Sequence, residues 1–90
     1  MSEWQGDTCT HVEDGDTFST RQGVWIRLAR VNAPEKGEPN FNKAEKLLSD
    51  LILNKIVVYK QVGTSFKRIV AEVTQDGNNI NDIMRRAGYS

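Results

Sequence analysis

Asp14 and Asp16 stand on either side of Gly15 in the run His11-Val12-Glu13-Asp14-Gly15-Asp16-Thr17-Phe18. A glycine between two aspartates suits a sharp bend, because its freedom at positive φ lets neighbouring carboxylates converge on one point. Such a point can hold a hard cation. Asn32, beyond the next strand-like segment, adds a further side-chain oxygen. Oxygen donors from two segments fit calcium, which takes about six to eight oxygens with forgiving geometry; zinc or copper calls for a richer supply of histidine and thiol ligands. The chain has one histidine, His11, and one cysteine, Cys9. The Asp-Gly-Asp-Thr run serves equally as an ordinary turn, since aspartate and glycine dominate turns, so its meaning depends on the segments around it.

Arg27 lies in an apolar strand pattern, where a charge is costly to bury without a partner or ligand, so it is expected to face outward. Asn32-Ala33-Pro34-Glu35 follows. Pro34 fixes its own φ and restricts Ala33, so Glu35 is carried on a stiff turn. Arg68 sits in a later strand pattern, again opposite an apolar face.

The elements that must position these groups can be read from periodicity. Gly6 to Glu13 alternates as a first strand that ends at the Asp-Gly turn. Thr17 to Thr20 is a short second strand, joined through Arg21-Gln22-Gly23 to a third over Val24 to Val31, whose Val24, Ile26 and Leu28 share the core face. Lys36 to Phe41 reads as a surface loop, with Gly37 and Pro39 in it. Asn42 to Leu53 has Ala44, Leu47, Leu48 and Leu51 at helical spacing, with Asn42 and Glu45 placed as a capping box and Asn54 at the end. Ile56 to Tyr59 is a buried strand, Gly63-Thr64-Ser65 a polar turn, and Arg68 to Thr74 another strand with Ile69, Ala71 and Val73 inward. Ile80, Ile83, Met84 and Ala87 form a short helical stripe stopped by Gly88. Three strands, a helix, two strands and a small helix predict a five-stranded Greek-key barrel of the OB type, α+β by count, with ligands on an outer strand face.

Ninety residues make a single domain, residues 1–90. Twelve basic and twelve acidic side chains cancel, so no global positive field marks a nucleic-acid binder and any polyanion contact must be local. Cys9 cannot form an internal disulfide and reads as a small strand residue. The start, Met1 to Gln5, has neither a basic region nor an apolar run, and no segment approaches the ~20 apolar residues of a membrane span. The expectation is a soluble monomer, cytoplasmic or secreted after loss of a leader.

Four blocks in order carry a resemblance: Val12-Glu13-Asp14-Gly15-Asp16-Thr17; Ile26-Arg27-Leu28-Ala29-Arg30-Val31-Asn32-Ala33-Pro34-Glu35; Arg68-Ile69-Val70-Ala71; and Asp76-Gly77 followed by Asn81, Met84 and Gly88. Together they resemble the thermonuclease family, the staphylococcal-nuclease-like phosphodiesterases, over nearly the whole chain. The resemblance implies the OB-type fold and a calcium-dependent nuclease acting on DNA or RNA with low sequence specificity. It matches Asp16 to a metal ligand, with Asp14 beside it, Asn32 where the second aspartate ligand usually stands, and Ala33 as a backbone carbonyl donor. Glu35 matches the general base, and Arg27 and Arg68 the two phosphate-binding arginines. An amide at Asn32 brings no charge, so weaker metal binding is expected. The family usually continues beyond the position of Ser90 into a further segment and helix, so a short or truncated member is expected here. The alternative is a catalytically weak or inactive OB-type module that binds single strands or a protein partner. Trp25, Phe66 and Tyr89 could stack on bases, Phe66 standing where the family often has a tyrosine. His11 reads as a strand surface residue, and Arg85 and Arg86 as the solvated face of the last helix.

Overall fold

β-Branched and aromatic residues at alternate positions set most of the architecture. The computed structural model describes residues 4–90; Met1 to Glu3, part of the stretch read as lacking a leader, lie outside the described residues. In chain order the elements are β1 (Trp4–Asp14), β2 (Thr17–Thr20), β3 (Trp25–Leu28), α1 (Phe41–Ile52), β4 (Ile56–Ser65), β5 (Arg68–Gln75), β6 (Asn78–Asn79) and α2 (Ile80–Arg86). The sheet runs β3-β2-β1-β4-β5-β6, and an additional parallel pairing of β3 with β5 joins its first five strands into a ring of hydrogen bonds. The remaining pairings are antiparallel. The expected five strands and two helices are present; the two-residue β6 is an addition. Among the described residues no helix is long and apolar enough to cross a membrane.

Inside the ring lie Phe18, Ile26, Leu28, Val57, Ala71 and Val73, with Leu48 and Ile52 of α1 and Ile80 and Met84 of α2. Each large side chain so buried contributes about 1.5–3 kcal/mol. Ile26, Leu28, Ala71 and Val73 face inward as the alternation predicts, while Val24 and Ile69 pack only at the margin. On α1 the buried stripe is Ala44, Leu48 and Ile52, one residue per turn, and Leu47 and Leu51 flank it.

Three local expectations are corrected. Asn42 lies within α1, whose N-cap is Asn40 in the left-handed region at φ 67 with no side-chain cap, so the Asn42–Glu45 capping box does not form. Gly63 to Ser65 belongs to β4 rather than to a turn; the reversal comes at Phe66 and Lys67, at φ 48 and 68, without the asparagine or glycine that usually marks such hairpins. Gly15 is not among the positive-φ residues. A Cβ there would come within 2.7 Å of the Cβ atoms of both Ala33 and Ala44, so glycine is required by close packing. That contact brings the Asp14–Asp16 bend, the Ala33 segment and helix α1 together.

Candidate active site

Asp16 is the hub. It is 8% exposed, and its carboxylate is held from three sides. The Thr17 hydroxyl donates to Oδ1 at 2.9 Å, the Ala33 backbone N–H donates to Oδ2 at 3.0 Å, and Arg27 Nη2 lies 3.6 Å from Oδ2. Its backbone carbonyl accepts from Leu28 N at 2.8 Å, fixing the bend to the end of β3. Asp14 turns back on the same bend and accepts from Asp16 N through Oδ1 at 3.0 Å.

The arginines reach this pair from two strands. Antiparallel pairing of β2 and β3 sets Thr17 opposite Arg27, and alternation puts Arg27 on the outer face while Ile26 and Leu28 fill the core. Arg27 donates through Nη1 to Leu28 O at 3.2 Å and through Nη2 to Asn32 Oδ1 at 2.9 Å. Arg68, the first residue of β5, donates through Nη1 to Thr17 Oγ1 at 3.2 Å and through Nε to Ser65 O at 3.4 Å. Thr17 therefore links one arginine to Asp16 and pairs in register with the other. Its hydroxyl went unassigned in the sequence because only the β2–β3 register reveals its neighbours.

Burial, and then the neighbouring Asp16 carboxyl, push Asp14 up to about 6. Two carboxylates on one bend, one of them reluctant to ionise without a counter-charge, form a donor pair suited to a hard cation. Ala33 presents its N–H to Asp16, and its carbonyl carries no hydrogen bond among the described residues. Asn32 is exposed; its backbone N–H donates to Tyr89 O at 3.0 Å, and its amide oxygen is turned to Arg27. Asp14 and Asp16 supply carboxylate oxygens of the kind a hard cation takes, with one neutral amide near them. Among the described residues no cluster of three or more His, Cys, Asp or Glu side chains is assembled for a metal.

Glu35 is exposed, and its side chain makes no hydrogen bond or ion pair among the described residues; its backbone N–H donates to Glu38 Oε1 at 2.6 Å. The structure thus brings Asp14, Asp16, Arg27, Asn32, Ala33 and Arg68 into one linked set and leaves Glu35 outside its hydrogen bonds. Asp14 also lines a cavity of ≈ 380 Å³ with His11, Glu13, Lys36, Phe41 and Glu45. A larger one of ≈ 520 Å³, between Lys36 and Lys43, contains none of the linked residues.

The sequence pattern of a family described as "Staphylococcal nuclease homologue" matches residues 25–90, which include Arg27, Asn32, Glu35 and Arg68. An uncharacterized endonuclease of Haemophilus influenzae is 34% identical over 91 residues, covering 93% of this chain and 51% of that protein. An uncharacterized endonuclease of Escherichia coli is 34% identical over 82 residues, covering 86% of this chain and 54% of its own length. The chain spans about half the length of these curated relatives. With its ring of strands, two helices and a match over residues 25–90, the chain belongs to the staphylococcal nuclease homologue family.

Proposed function

We propose that this chain is a calcium-dependent nuclease that hydrolyses phosphodiester bonds of DNA or RNA with low sequence specificity. The observation that carries the reading is the convergence on Asp16 and Thr17, where Arg27 reaches Asp16 Oδ2 at 3.6 Å and Arg68 reaches Thr17 Oγ1 at 3.2 Å. Two planar guanidinium forks beside a carboxylate pair suit a tetrahedral phosphate whose charge grows during displacement. Asp14, Asp16, the Asn32 amide and the Ala33 carbonyl would hold calcium, which when bound supplies positive charge against the phosphoryl oxygens.

Arg68 is braced through Nε and Nη1, leaving Nη2 for substrate. Arg27 must release Asn32 Oδ1 to grip a phosphate oxygen, so its fork is held in place until substrate arrives. Glu35, solvent-facing and on the Pro34 turn, takes a proton from water as the water oxygen bonds to phosphorus; the P–O bond to the leaving oxygen breaks, and that oxygen departs with the bonding pair and takes a proton from solvent. Both arginines hold the non-bridging oxygens through that step. Nothing in the set resembles a base-reading helix, which accords with low specificity.

A second reading, a non-catalytic module for single strands or a protein, is favoured by the engagement of Asn32 with Arg27 and by Glu35 standing apart. Turnover decides between them. Plasmid and single-stranded DNA should be cleaved with calcium and left intact in EDTA; no metal-dependent cleavage would hand the chain to the second reading.

A further inference from the structure

We infer that Trp25, steadied by His11, is a stacking site for an unpaired nucleobase next to the phosphate held by Arg27 and Arg68, an inference that rests on the nuclease reading for that phosphate. Trp25 and Arg27 are two residues apart on β3 and so share its outer face, separated by about 7 Å along the strand. Across the sheet, Ser19 pairs with both Trp25 and His11, while Thr17 pairs with Arg27. One row of this face therefore carries His11, Ser19 and Trp25; the next carries Thr17 and Arg27.

Trp25 is 40% exposed, a large aromatic surface left in water. Its ring meets that of His11 nearly at right angles, 81° with centroids 5.8 Å apart. His11 Nε2 is in turn 3.2 Å from Glu13 Oε1. An edge-to-face pair of this kind is attractive beyond area burial and restrains the indole before any ligand arrives. Small Ser19 beneath the row leaves the rings as its relief.

Charge divides the face into two kinds of subsite. The Arg27 row carries a guanidinium fork that suits phosphate, beside the Asp16 carboxylate. Glu13, two residues beyond His11 on β1, sets its carboxylate 3.2 Å from His11 Nε2, and a carboxylate repels phosphate but not the π-face of a neutral base. A strand whose phosphate lies on the arginines can lay an adjacent base on the indole, provided that base is unstacked. The site thus takes single-stranded or frayed nucleic acid, with little preference among bases because every base has a π-face.

The test measures binding of short oligothymidylate in EDTA, so that no cleavage intervenes, against the same oligonucleotide with abasic sites. Wild type should favour the thymidylate by roughly 5- to 150-fold, the range expected for stacking one base. Trp25→Ala should abolish that ratio and Trp25→Phe retain most of it. In a Trp4→Phe background, which leaves Trp25 as the sole tryptophan, thymidylate should quench fluorescence and the abasic strand should not. Equal affinities of wild type for both strands, as expected were this face a protein-docking surface, overturn the inference. So does a ratio that survives Trp25→Ala. Cleavage by wild type is scored separately: equal affinities of wild type for the two strands with intact cleavage remove the stacking site alone, whereas a wild-type preference for thymidylate without cleavage removes the nuclease reading alone.

Discussion

Two buried polar groups, Asn81 and Asp16, use the same currency of hydrogen bonds to opposite ends. Asn81 is fully buried and neutral. Its Oδ1 accepts from Val73 N at 2.8 Å, and its Nδ2 donates to Ala29 O and Ala71 O, each at 3.0 Å. It ties α2 to β5 and to the chain leaving β3, and no charge is involved. Asp16 is ionisable, leans on Asp14, and has an arginine at 3.6 Å rather than at hydrogen-bond distance. A satisfied neutral amide in low dielectric rigidifies the fold, whereas a carboxylate pair left short of positive charge has affinity to spare for a cation or a ligand. The difference separates a residue that holds the molecule together from residues to which the proposed function gives the chemistry.

The comparison is broken most decisively at Arg27. Arg27→Ala should lower cleavage by roughly 100-fold or more, corresponding to the ~3 kcal/mol of one oriented donor, while the thermal midpoint moves little. Glu35→Gln should act likewise, because that side chain makes no hydrogen bond or ion pair among the described residues whose loss could unfold the protein. Steady-state cleavage with parallel thermal melts checks both; cleavage unchanged by either substitution would remove these residues from the chemistry.

Asn81→Leu should do the reverse. It leaves Val73 N–H and the Ala29 and Ala71 carbonyls without the side-chain amide, at a cost of about 3 kcal/mol in urea unfolding. Activity per folded molecule should persist. A variant as stable as wild type would show that water replaces the amide.

These two residues also show what could be read in advance. The strands were legible because alternation of Ile26, Leu28, Ala71 and Val73 against polar neighbours has a single physical reading. Candidate site residues could be named from the ordered blocks around Asp14, Arg27 and Arg68, because type and spacing survive in sequence. Side-chain aim was not. Asn32 reads as an oxygen donor to a cation; that the same amide oxygen accepts from Arg27 Nη2 is set by a neighbour that only folding supplies. Asn81 belongs to the fourth block of the resemblance but carried no role there, and nothing in its local pattern marks the three backbone groups it serves. The Phe66–Lys67 reversal was hidden because those residues lack the usual preference for positive φ.

Gly15 sharpens the comparison from the backbone side. Gly15→Ala drives a methyl to 2.7 Å from the Ala33 and Ala44 methyls, so the bend, the Ala33 segment or α1 must shift. Overpacking of this kind costs about 1–3 kcal/mol. Because the shift falls on the site, calcium affinity should drop together with stability, unlike either earlier case. Calorimetric titration of calcium alongside a urea melt tests this; a loss of stability with unchanged calcium affinity would detach Gly15 from the site.

The smallest effect is expected at Asp14, and its sign depends on pH. Asp14 is raised from 3.8 to about 6 in the folded protein, by burial first and by Asp16 second. A group with a raised folded pKa contributes stability that is fully present below its unfolded value and is lost as pH climbs through the folded value. In metal-free protein, Asp14→Asn should therefore leave the difference in thermal midpoint constant below about pH 4, then gain on wild type up to about pH 6 and level off above it. Solvent reaches this half-buried group and screens the interaction, so the gain stays within about 1 kcal/mol, or roughly 4–8 °C for a domain of this size. Calcium should reverse the order at neutral pH, because the cation supplies the counter-charge to the carboxylate that the amide lacks. Thermal melts of both proteins across this pH range, with EDTA and then with calcium, carry the test. A calcium-induced stabilisation equal in both would place the cation away from Asp14, and a flat pH difference in EDTA would show that Asp14 ionises without cost in the fold.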